Sequence, residues 1–348
     1  MSSPRTSWAD SLACYTVLVL GACARCQRCV PSPAPKEASP RNWTSRETEL
    51  KPFWWNGLVD VPTAQKTFGT GTGATVAIVG TGVLNGHEDL PTVVPGTATC
   101  GSTPNDTDDK NGHGTQLAGI VAGRSQAGTI PGPKPHATDG VAPAVKLIPI
   151  KIDCGVVSAD PLKNGVDAAI ASNADVILIA IGGYPYGPSD FGTFMLGRVN
   201  ANPRILFVVA SVWDGIGEYA FPAWTQAPNA LLVAAMTLDA APGNPKTLSK
   251  TEIPYTARRG NIWAPGRMVG TADIELEPPP STYHAQFLMH GTSPAAAIVA
   301  GCAALVKSKT GKAGADLKRA LLAASPGSPG LGQPPNNGRL NCGAVPQR

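Results

Sequence analysis

The sequence predicts an α/β domain in which a parallel sheet carries helices on both faces. Two patterns support that expectation. Short, nearly continuous apolar runs rich in Val and Ile recur at 75–79, 145–152, 175–181, 205–211 and 230–235. Such runs suit strands buried on both faces. Helical stretches lie between and after them, at 114–122, 162–172 and 294–309. In a doubly wound sheet the functional site lies at the C-terminal ends of the strands. No internal repeat interrupts the alternation.

In chain order, residues 1–22 read as an export signal. Arg5 precedes an apolar run over 12–22 that ends in Leu20-Gly21-Ala22-Cys23. A short apolar run with small residues before the cut is a signal pattern, too short to span a bilayer. Leu-Gly-Ala-Cys also resembles a bacterial lipobox, which would place a lipid on Cys23; Asp10 is atypical for the region ahead of such a run. Residues 23–52 form a tether, with Pro31, Pro33, Pro35 and Pro40 close together. Residues 53–348 form the domain. Its last long helix begins Pro294-Ala295-Ala296-Ala297-Ile298-Val299-Ala300-Gly301. A helix this small and apolar all round must be central and closely packed. Ser293 then stands at its N-terminus, and Pro294 is tolerated because its missing donor is an orphan there. Ser is also a favoured helix cap, which is the bland account of Ser293.

Composition narrows the partners. The 348 residues are 43% hydrophobic and 15% charged, a buried globular chain rather than a disordered one. A net charge of +4 is weak at this length, and no Lys/Arg cluster carries interleaved aromatics, so nucleic acid is not an expected partner. Of eight cysteines, Cys14 would leave with the signal. Cys23, Cys26 and Cys29 form a tight group without a fourth ligand at metal spacing, so no metal site is expected there. Cys100, Cys154, Cys302 and Cys342 are dispersed through the domain and suffice for two bridges, whose pairing the order leaves open.

Three segments carry chemistry. Val76-Ala77-Ile78-Val79-Gly80-Thr81-Gly82-Val83 ends a strand in a glycine turn. Asp109-Lys110-Asn111-Gly112-His113-Gly114-Thr115 sets a His at the mouth of a helix. Gly291-Thr292-Ser293-Pro294 sets a Ser at the mouth of another. In order and spacing these resemble the subtilisin-like serine peptidases (subtilases), whose blocks around Asp, His and Ser follow that chain order. Gly140-Val141-Ala142-Pro143 and Gly338-Arg339-Leu340-Asn341 also look like subtilase connectors. The resemblance runs from about Val59 to Val345. It implies one domain with a mostly parallel, roughly seven-stranded sheet flanked by helices.

Carried over position by position, His113 matches the general base and Ser293 the nucleophile. Ala180, Ile181 and Gly182 match the strand that pairs with extended peptide. Ala210, Ser211 and Val212 match one wall of the pocket for the side chain preceding the scissile bond. Three departures accompany the match. Gly80 stands at the family's Asp position, Trp213 at the position of the oxyanion-hole Asn, and Val212 where a glycine leaves the pocket open. The Asp of a triad orients the imidazole and stabilises the imidazolium, and Gly80 does neither. His113, at a helix N-terminus and without that acid, is expected to have a lowered pKa. Loss of the Asp costs roughly 10⁴-fold in turnover and loss of the Asn donor roughly 10²–10³-fold, values measured on a family member and borrowed here. Asp109, Asp89 and Asp214 are the acids considered as substitutes, each with a structural or solvated reading beside it.

The implied function is that of a subtilase-fold peptidase homologue, impaired in catalysis, that retains a peptide-binding groove. The alternatives are an active endopeptidase using the His113–Ser293 pair, and a scaffold that binds a partner. The segment of about 30 residues between Cys23 and the domain is too short for a folded inhibitory prodomain, which agrees with an impaired enzyme. The expected partner is a peptide or protein, the expected state a monomer, and the expected place extracytoplasmic, secreted or lipid-anchored. No cofactor is implied. Asp106, Asp108 and Asp109 admit calcium, which many subtilases bind, beside the reading of a solvated loop. Asn42 and Asn105 fit a glycosylation pattern that matters only in a eukaryotic secretory route. Trp54 and Trp55 are expected to pack the start of the domain.

Overall fold

Strands form where the Val/Ile runs predict them in the computed structural model. It describes residues 54–87, 89–91, 93–101, 103, 105–124, 140–154, 159–181, 190–211, 223–241, 244–249, 260–267, 269–272, 286–325 and 338–347. The signal, lipid and tether readings fall outside these residues.

Helices α1 (Trp54–Leu58) and α2 (Val61–Phe68) lead into β1 (Thr75–Gly80) and the two-residue β2 (Thr97–Ala98). There follow α3 (His113–Ala122), β3 (Lys146–Lys151), α4 (Ala159–Ala171), β4 (Val176–Ile179), α5 (Asp190–Ala201) and β5 (Leu206–Ala210). The chain continues through β6 (Ala230–Ala241), β7 (Asn244–Ser249), β8 (Ile262–Pro265), β9 (Val269–Ala272) and β10 (Gln286–Met289) to α6 (Thr292–Thr310) and α7 (Gly314–Ala323).

Seven strands pair in parallel in the order β2-β3-β1-β4-β5-β6-β8. β7 turns back antiparallel on the far part of β6, and β9 with β10 form a separate antiparallel pair. The α/β class and the mostly parallel, seven-stranded sheet are therefore as expected. Alternation within β1 shows the double winding. Val76 and Ile78 join the cluster of Leu117 in α3 and Ile298 in α6, whereas Ala77 and Val79 join that of Leu162 in α4 and Met195 in α5. Parallel strands need crossovers, and helices on both faces supply them.

α6 is the central helix that its composition predicts. It packs on α3 and on β4, β5, β6 and β8. Its small residues permit that approach: a Cβ at Gly301 would lie 2.6 Å from the Val141 Cβ. Trp55 is 1% exposed, and the Trp54 indole Nε1 donates to the Arg267 carbonyl at 3.1 Å, so both pack the start of the domain. The four dispersed cysteines pair as Cys100–Cys154 and Cys302–Cys342. The second bridge ties α6 to the 3₁₀ turn Cys342–Ala344.

Lys318 in α7 is half-buried and donates from Nζ to the Ala227 carbonyl at 3.0 Å. Burial lowers its pKa to about 8. Between pH 8 and the ordinary value of 10.5, the unfolded chain holds the proton that the folded chain has lost, so stability rises with pH across that window. In urea unfolding, the wild type is expected to gain on Lys318→Met as pH rises from about 8 to 10.5. A difference constant with pH would show that the ammonium is not displaced.

Candidate functional site

His113 opens α3, and three features fix where that helix begins. Gly112 before it has φ 101°, in the left-handed region that glycine occupies without penalty. The Gly114 amide donates to Thr81 Oγ1 at 2.8 Å. A Cβ on Gly114 would collide with the Gly82 carbonyl oxygen. The helix N-terminus is thus seated on the turn that follows Gly80 at the end of β1.

The loop ahead of His113 is organised by Asp109, which is 2% exposed. Its Oδ1 accepts the amides of Asn111 and Gly112, both at 2.9 Å. Its Oδ2 accepts the Thr115 amide at 2.9 Å and the Thr115 hydroxyl at 2.7 Å. Asp106 accepts the Asp108 amide at 3.2 Å, and Asp108 pairs with Lys110. The three carboxylates of the acidic loop are therefore directed at protein donors. Among the described residues, no group of three or more His, Cys, Asp or Glu is arranged to hold a metal ion.

Ser293 is the second residue of α6. Thr292 Oγ1 donates to the Ser211 carbonyl at 2.7 Å, and the Gly291 amide to the Gly266 carbonyl at 2.7 Å. Ser293 Oγ reaches the Ala180 carbonyl at 3.5 Å, a long bond that an incoming acceptor displaces easily. Two helix N-termini are thereby brought to the C-terminal edge of the sheet, α3 at the end of β1 and α6 at the ends of β4 and β5. His113 and Ser293 are both half-buried. Among the described residues, no hydrogen bond joins the Ser293 hydroxyl to the His113 ring.

Ala180 and Ile181 follow β4, Ala210 ends β5, and Ser211 bonds through its amide to the Val233 carbonyl at 2.9 Å. Ala180 and Ser211, 0% and 5% exposed, thus hold the start of α6 through their carbonyls. Gly182, Val212, Trp213 and Asp214 lie outside the described residues. At Gly80 an added Cβ would meet no atom of the described residues within 4 Å, and φ there is not left-handed. Room for a Cβ thus exists at the buried end of β1.

Burial lowers the pKa of His113 from its ordinary 6.5, and the negative charges of Asp109 and Asp153 oppose that shift. The direction matches the expectation, but desolvation rather than the helix dipole leads. Asp89 is not among the charges acting on the ring; its amide donates to His87 Nδ1 at 3.1 Å. Asp153 escaped the sequence reading, which sought acids along the chain from the motifs. The available signal was strand alternation carried past the end of β3. The lowered pKa favours the neutral imidazole and makes it a weaker base.

No helix among the described residues is long and apolar enough to cross a membrane. A family model described as the Subtilase family matches residues 71–338. Subtilisin Savinase of Lederbergia lenta is 31% identical over 260 residues, covering 74% of this chain and 84% of that protein. Alkaline elastase YaB of Bacillus sp. (strain YaB) is 33% identical over 261 residues, covering 74% of this chain but 60% of that protein. A crystal structure of MycP1 with its N-terminal propeptide removed superposes with a TM-score of 0.60 at 26% identity, covering 84% of this chain and 96% of that one.

Proposed function

Because the chain belongs to the subtilase family, we propose that it is a serine peptidase homologue with slow hydrolysis and a groove that still binds extended peptide. The observation that carries this reading is the open space at Gly80, the position that matches the family's Asp. In the proposed step Ser293 Oγ attacks the peptide carbonyl carbon and its proton passes to His113. His113 then protonates the leaving amine, and water hydrolyses the acyl group from Ser293. The imidazolium formed on attack finds no carboxylate at the end of β1. Trp213 takes the oxyanion Asn position, so one hydrogen bond to the developing oxyanion is also missing. Ala180, Ile181 and Gly182 hold the peptide backbone, and Ala210, Ser211 and Val212 edge the side-chain pocket. Binding outlasts catalysis because these segments do not depend on the acid.

One observation favours the second reading, an active endopeptidase: burial keeps His113 in the unprotonated form that a general base needs, although the same shift weakens its basicity. We further place the protein outside the cytoplasm, as a monomer. Two disulfides support an oxidising compartment.

A fluorophosphonate probe, phosphonylated onto serine with loss of fluoride, separates the two readings. Labelling of the full chain is expected to be slow and absent from Ser293→Ala. Labelling of Ser293 as fast as in an active subtilase would overturn the slow-site reading.

A further inference from the structure

We propose that Asp153, carried on the strand beside β1, is the positioning residue that supplies negative charge to His113 in place of an acid at position 80. The inference rests on the roles given above to His113 and Gly80. It adds a residue that no match to the family's blocks assigns.

The placement follows from register. β3 runs parallel to β1 with Gly80 opposite Lys151, and the ladder continues one residue further, where the Ile152 amide donates to the Gly80 carbonyl at 2.9 Å. Partners opposed in a parallel pair point to the same face. Ile148, Ile150 and Ile152 face the layer of α4 and α5, whereas Leu147 joins the layer of α3 and α6. Lys151 belongs to the second set: its Nζ donates to the Asp108 carbonyl at 2.7 Å, in the loop that leads to His113. Asp153 lies two residues past the end of β3, where the same alternation would place it in that set. It shares a cavity of about 560 Å³ with Thr81, the neighbour of Gly80, and with Asn111, whose side chain accepts the His113 amide at 3.3 Å. The Cys100–Cys154 bridge pins the backbone immediately beyond it.

Asp109 gives its carboxylate to four donors, Lys110 is paired with Asp108, and Lys151 is held on the Asp108 carbonyl. Strands β1 and β9, which pack on α3, bring no charged side chain, and His290 is the titratable group just ahead of α6. Asp109 and Asp153 are the carboxylates that raise the His113 pKa against its burial. Of the two, Asp153 stands on the face of Gly80. Through-space support from a half-buried carboxylate is weaker than a direct bond, so it leaves a slow site rather than a fast one.

The test follows the His113 ring titration by NMR in the full oxidised chain, in wild type, Asp153→Asn and Asp153→Glu. Ser293 labelling is measured alongside. Asp153→Asn is expected to move the His113 midpoint to lower pH and to slow labelling roughly tenfold, well short of the roughly 10⁴-fold cost of neutralising a directly bonded acid. Asp153→Glu, which keeps the charge, is expected to restore both. In a Gly80→Asp background the effect of Asp153→Asn is expected to shrink. A dispersed spectrum from Asp153→Asn with an unmoved His113 midpoint overturns the inference. If Asp153→Asn fails to fold, an Asp153→Glu midpoint below that of wild type overturns it instead. Rapid wild-type labelling would sink the slow-site reading alone, whereas an unmoved His113 midpoint would sink this one alone.

Discussion

Gly80→Asp is expected to raise peptide hydrolysis by roughly 10²–10⁴-fold, at most the roughly 10⁴-fold by which removing the acid slows serine peptidases. The structure gives two reasons why the substitution is admissible. An added Cβ meets no atom of the described residues within 4 Å, and the backbone is outside the left-handed region, so neither their packing nor strain opposes it. The new carboxylate would sit at the end of β1, against the seat of α3, where it can bond the imidazole and stabilise its protonated form. The lower end of the range is the safer expectation because an oxyanion donor is also proposed to be missing, and groups that act together do not contribute additively. Adding Trp213→Asn should extend the gain. Steady-state cleavage of a fluorogenic peptide measures it, with Ser293→Ala as the blank. No gain in a folded double variant would show that position 80 is not where the acid is needed.

Asp109→Asn is expected to be the most damaging exchange in the loop that presents His113, lowering stability by roughly 3 kcal/mol. The carboxylate is 2% exposed and accepts from three amides and one hydroxyl. The isosteric amide keeps one acceptor oxygen and turns an NH2 group toward the other donors. Each buried donor left unmatched costs about 1–3 kcal/mol. Asp108→Asn is the internal control. Its pair with Lys110 is largely solvent-exposed, 33% and 73%, and such pairs contribute about 1 kcal/mol or less. Urea unfolding of both variants separates the cases. Equal losses would show that Asp109 does not anchor the loop. Because the anchor sits four residues ahead of His113, the Asn variant should also label more slowly at Ser293.

The parts of the molecule legible in its sequence are those where one physical signal dominates. Runs such as Val76-Ala77-Ile78-Val79 announce strands buried on both faces, and the all-small stretch after Ser293 announces a central helix; both took their places. β8 escaped because Ile262-Trp263-Ala264-Pro265 is four residues long and ends in proline, a weak strand pattern made real by pairing with β6. α5 carries two glycines in twelve residues and reads as a loop until its Phe191 and Met195 find the sheet. Pairing of the four domain cysteines required the fold. At the site, His113 and Ser293 lie inside contiguous motifs and could be picked out by inspection. Asp153 lies in none: its relation to Gly80 arises only when β3 is laid beside β1 in a fixed register.

The two cross-links, closing spans of 54 and 40 residues, have a consequence for how the chain reaches its native state. In a chain-entropy account each restricts the unfolded ensemble by about 4 kcal/mol, comparable to the whole net stability of many domains. An oxidising compartment is where that restriction would come into force. In a thiol-rich cytosol the same sequence would have to fold without either tether.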